Sequence, residues 1–149
     1  MQVSLRTLGW YHIVGAAAGS VLTTWAWAHD AALPGGSLET AAMPFALSMA
    51  AGIWLVRGLP RARQIAYITQ ALQIPVVILP IVTWKFIAGI IASIAFTSEG
   101  IRLYGGLEVT YLVGSGSLGN LAATIGINLM PILLIVLLAR APTEASRAT

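Results

Sequence analysis

Polar and ionisable side chains are scarce in this chain, so each one that interrupts an apolar run is a candidate for chemistry. Lys85 stands inside the longest run, where a fixed cation either binds an anionic group or extends its stem toward water and pairs with Glu99. Gln70 and Gln73, with Thr69 beside them, recur at helical spacing and share one face. That pattern suits a polar lining for a small solute, or hydrogen-bond glue between helices, which is the commoner use. Asn128 is their candidate partner from a later segment. His12 has no nearby carboxylate to exchange a proton with, so its expected role is a hydrogen-bonded structural one.

The materials for most catalysis are missing. The chain has no cysteine and two histidines far apart, which removes thiolate chemistry and leaves no expected metal site. No HExxH, no GxSxG, no acidic pair and no phosphate-binding glycine loop occurs. No catalytic residue and no cofactor is therefore expected. The sequence pI near 9.8 invites a nucleic-acid reading, yet no basic patch with interleaved aromatics is present.

These residues need elements to hold them. Of 149 residues, 58% are hydrophobic and only 9% charged, with a mean hydropathy of +0.85. A water-exposed domain carries about 25% charged residues. The charges also cluster between apolar runs. Four runs, at about 8–28, 38–56, 65–84 with an extension to 97, and 118–139, approach the roughly 20 residues that cross a bilayer. The expected fold is a single all-α membrane domain, a four-transmembrane-helix bundle with a long bent third helix.

Local signals refine this expectation. Pro75 and Pro80 should bend the third helix, and Pro131 the fourth, which Ser117 is placed to cap. Residues 101–104 and 107–113 around Gly105-Gly106 read as a candidate small β-hairpin in the outer loop. Gly15 and Gly19 form a small-xxx-small pair that lets helices approach closely, within the bundle or between protomers. Arg6, Arg57, Arg61, Arg63, Arg140 and Arg147 lie on one side of the four runs, while Asp30, Glu39, Glu99 and Glu108 lie on the other against only Arg102, with Lys85 nearby. The positive-inside rule then sets both termini in the cytoplasm. Ala26-Trp27-Ala28 resembles a signal cleavage site, but the apolar stretch before it exceeds a signal h-region.

The stretches Leu8-Gly9-Trp10-Tyr11-His12-Ile13-Val14-Gly15, Gln70-Ala71-Leu72-Gln73-Ile74-Pro75, Trp84-Lys85-Phe86-Ile87-Ala88-Gly89 and Gly126-Ile127-Asn128-Leu129 resemble a family of small uncharacterised bacterial four-helix integral membrane proteins. The resemblance covers most of the chain, implies the same topology and carries no activity. The expected location is the bacterial inner membrane, with the lipid bilayer as surroundings and no nucleic acid bound. The expected function is a non-enzymatic interaction or accessory subunit working through helix packing, as a homo-oligomer or in a larger membrane complex. A small-solute carrier or channel component with a polar face on the third helix is the alternative.

Overall fold

The computed structural model describes residues 3–29, 38–79, 82–114 and 123–141. Ser117 and its expected capping role lie outside the described residues. The first two apolar runs are helices, α1 (Leu5–Ala28) and α2 (Leu38–Arg57). They run antiparallel, since Gly9 meets Gly52 near one end and Gly19 meets Phe45 near the other.

The third run departs from expectation. Instead of one bent helix, α3 (Ala62–Ala71) stops early, and Pro75 opens a strand, β1 (Pro75–Ile78). Proline at the first position of a strand forfeits no ladder hydrogen bond that the fold requires. The expected helical extension through Lys85 to residue 97 is a strand, β2 (Thr83–Thr97). Its residues explain why. Ile87, Ile90, Ile91, Ile94, Phe96 and Thr97 are β-branched or aromatic, and such side chains fit a pleated surface better than a helix.

The outer hairpin is also different. Gly105-Gly106 is not its turn; β3 (Gly100–Gly114) runs straight through both glycines and pairs with β2 along its whole length. The turn is Ser98-Glu99, between the paired Thr97 and Gly100, with Gly100 at φ +119° supplying the unusual backbone. The fourth run divides into β4 (Thr124–Asn128) and α4 (Leu129–Arg140). Pro131 sits in the first turn of α4, where the backbone N–H has no helical partner in any case, so the expected bend does not arise there.

Among the described residues the all-α bundle is therefore replaced by four helices and a four-stranded antiparallel sheet in the order β1-β4-β2-β3, with β1 also pairing with β2. No helix among the described residues is long and apolar enough to cross a membrane. At about 1.5 Å per residue, α3 and α4 reach roughly 15 and 18 Å against some 30 Å of hydrocarbon. Gly, Ser, Thr, Tyr and Trp dilute the apolar character of α1 and α2. The multi-pass inner-membrane placement falls with the spans, and the positive-inside argument has nothing left to orient.

The helices share one core, made by Leu8, Ala51, Leu55, Ala62, Ala66, Leu134 and Leu138. A second cluster joins helix to sheet, with Phe45 of α2 edge-on to Phe86 of β2 at 5.7 Å.

Candidate functional site

Strand β2 is held in an unusual way. Its inner edge pairs with β1 over Thr83–Lys85 and with β4 over Ser93–Thr97, leaving the segment between without a strand neighbour on that side. Side chains take the place of the missing strand. Ala88 N donates to Gln73 Oε1 at 2.9 Å, Ile90 N to the Tyr11 hydroxyl at 3.1 Å, and Ala92 N to Asn128 Oδ1 at 3.2 Å. Alternate residues of a strand point their N–H groups to the same edge, so this spacing accounts for the inner-edge amides from Ala88 to Ala92. A buried N–H left without a partner costs about 1–3 kcal/mol, which sets the scale for the buried Ala88 bond; the part-buried Ala92 bond and the exposed Ile90 bond count for less.

The acceptors are themselves fixed. Asn128 accepts from Met130 N at 3.2 Å as the N-cap of α4, while its own N–H donates to Ile74 O at 2.8 Å. Gln73 Nε2 donates to Thr69 O at 3.4 Å. Tyr11 stands beside Gly89, whose φ of +130° is reserved for glycine and where a Cβ would lie 2.5 Å from the Tyr11 oxygen. Burial pushes the Tyr11 phenol up from 10.0, and the hydrogen bond from Ile90 opposes this.

Beside this brace runs a second buried line. His12 Nδ1 lies 3.1 Å from Ser48 Oγ, and His12 Nε2 lies 3.1 Å from Gln70 Nε2. With the proton on Nδ1, the imidazole donates to Ser48 and accepts from Gln70. Burial lowers the His12 pKa from 6.5 to about 4. The line ties α1, α2 and α3 together.

The structure thus brings Gln70, Gln73 and Asn128 into one buried region, together with Tyr11 and Ser48, which the sequence reading did not single out. It places the other candidates elsewhere. Lys85 forms an ion pair with Glu108 across the β2–β3 hairpin, and Glu99 pairs with Arg102 at the hairpin tip. Gly15 sets α1 against the Ala88 carbonyl of β2, where a Cβ would lie at 2.5 Å, and Gly19 faces the Phe45 ring. Both glycines thus serve contacts within the chain. Among the described residues no group of three or more His, Asp or Glu side chains is placed to hold a metal ion.

The other face of the sheet is open. From residue 91 to 96 exposure alternates: Ile91, Ser93 and Ala95 turn inward, and Ile94 and Phe96 turn out. Directly opposed residues share a face. Register places Leu103 and Ile127 on either side of Ile94, Ile101 and Ile125 on either side of Phe96, and Leu107 opposite Ile90. All of these apolar side chains are exposed, from 38% at Ile94 to 86% at Leu107. They form one continuous apolar surface over β4, β2 and β3. Residues 91–97 read Ile-Ala-Ser-Ile-Ala-Phe-Thr, apolar on both sides of the strand, so no apolar–polar alternation in the sequence marked this face.

Comparison of the chain with protein-family models, with curated proteins and with solved structures finds no match.

Proposed function

We propose that this chain is a non-catalytic interaction subunit whose working surface is the outward apolar face of the sheet. The observation that carries the reading is the alternation at Ile94 and Phe96, extended through register to Leu103, Leu107, Ile125 and Ile127. Contiguous apolar patches of this kind on a folded surface mark contact with a partner. The polar groups best suited to chemistry support the same reading, because they are committed to backbone and to one another beneath that surface. Gln73, Tyr11 and Asn128 accept from β2, and Gln70 and Ser48 clasp His12. The interaction is thus assigned to the sheet, with helix packing as internal scaffold.

A photo-reactive phenylalanine analogue introduced at Leu103 tests this in living cells, with the same analogue at the exposed Arg57 as control. The expected result is a defined protein adduct from position 103, absent from position 57 and suppressed by Ile94→Lys. Absence of any protein adduct from 103, or equal yields at 103 and 57, would overturn the reading.

A further inference from the structure

Strand β3 is the end of the sheet, and among the described residues no strand pairs with its outer edge. We propose that a second copy of this chain binds there, β3 against β3, antiparallel about a two-fold axis at Gly105. This rests on the interaction reading above and adds to that apolar face a contact through the edge of the same sheet.

Hydrogen-bond parity limits the choices first. Ala88, Ile90 and Ala92 direct their N–H groups to Gln73, Tyr11 and Asn128, away from β3. Their neighbours in register, including Gly105 opposite Ala92 and Leu107 opposite Ile90, therefore face away from β2 in turn. The outward N–H and C=O groups of β3 belong to Ile101, Leu103, Gly105 and Leu107. A second β3 strand must match outward residues to outward residues, which permits only registers two positions apart.

Side chains then select one register. With Gly105 opposite the partner's Gly105, Leu103 faces the partner's Leu107 and Arg102 faces the partner's Glu108. By symmetry each pairing occurs twice. Moving the strands to the next permitted register in either direction separates both pairs. Arg102 is already beside Glu99, and Glu108 beside Lys85, so the joined edges would carry alternating charges with no like pair opposed. From Ile101 to Leu107 the edge has no proline and no lysine, its one charge is Arg102, and a Cβ at Gly105 would meet only Ile91 O, at 3.9 Å. The apolar faces of two sheets become one surface across the axis. Exposed apolar stripes also occur on α1 and α4, around Trp25 and Ile132, but helices leave no backbone groups to share and nothing there selects an occupant.

The test is sedimentation of the purified full chain, alone and as charge variants, with circular dichroism and thermal melting as a check on folding. The wild type is expected to form a dimer. Arg102→Glu and Glu108→Arg each oppose like charges twice, and each is expected to weaken dimerisation about tenfold or more. An equimolar mixture of the two variants restores both pairs, and is expected to recover wild-type affinity as a heterodimer. A misfolded variant could not be rescued by mixing, so recovery also excludes that explanation. A monomeric wild type overturns the proposal, as does dimerisation unchanged by both substitutions. So does a monomer that floats with vesicles of phosphatidylglycerol and phosphatidylcholine through this face. If the adduct at Leu103 is with a different protein while the chain sediments as a monomer, self-pairing fails and the interaction reading stands.

Discussion

Single side chains in this protein do more than one job, and Asn128 shows how. Its side-chain oxygen caps α4 and accepts from Ala92, while its backbone N–H is tied to Ile74. His12 has a similar density of ties and a consequence for pH. It is buried, neutral, and flanked by a hydroxyl and an amide that suit one proton on the ring. The unfolded chain takes up a proton near pH 6.5, whereas the folded chain resists until about pH 4. Stability from this residue is thus present in full above pH 6.5 and lost progressively as pH falls to about 4, by about 3 kcal/mol. Urea unfolding at pH 7.5 and 4.5 checks it: His12→Gln should remove the part of the acid loss due to this imidazole. An acid slope unchanged by that substitution would contradict the assignment. The importance of His12, Gln70, Gln73 and Asn128 as buried polar groups could be read from their isolation in apolar runs. Their long-range partners, such as Ser48 for His12 and the Ala88 and Ala92 amides for Gln73 and Asn128, could not, because these are distant in sequence.

At the scale of elements, close packing of α1 and α2 depends on glycines meeting face to face. A Cβ on Gly52 would lie 2.7 Å from Gly9 O and from Ile13 Cγ1, and one on Gly9 would lie 2.8 Å from Gly52 O. Gly52→Val should therefore force the helices apart and cost about 1–3 kcal/mol, read as a lower urea midpoint. An unchanged midpoint would mean that the crossing relaxes freely. The small residues of α1 were legible as packing positions, but the reciprocal pair involves Gly9 and Gly52, and a spacing rule within one helix cannot show a contact between two. Strand β2 was the hardest element to read. A continuous apolar stretch fits a helix or a strand buried on both faces equally well, and only length, prolines and β-branching arbitrate. Pro75 was legible only as a bend in a continuing helix, whereas it opens β1. That the chain would leave α3 as a strand was decided by β1, β3 and β4, which supply its hydrogen bonds.

The whole molecule leaves many large apolar side chains exposed. The helical core and the brace under β2 account for its interior, yet Phe96, Leu103, Leu107 and Ile127 remain outside. Charge placed on that face should leave the fold intact, since these side chains contribute little to the core. Leu103→Lys combined with Leu107→Lys is expected to shift the melting temperature by no more than a few degrees, equivalent to about 0.5 kcal/mol per site. It should also raise the concentration at which the protein stays in solution. A collapse of the melting temperature would show that the face is internal to the fold.

The sequence by itself determined that this chain is rich in apolar side chains, poor in charge, and dependent on a few buried polar groups. It also marked α1 and α2 nearly to their ends, because long apolar stretches without proline at their centres favour helix over most of their length. The tertiary structure alone decided the rest: that the third run divides into α3, β1 and β2, that Gln73, Tyr11 and Asn128 stand in for a missing strand, and which apolar residues face outward. The reason is physical. Composition records how much apolar surface a chain carries, but whether that surface is buried or shown depends on pairing between distant segments, where a shift of one residue exchanges the two faces of a strand.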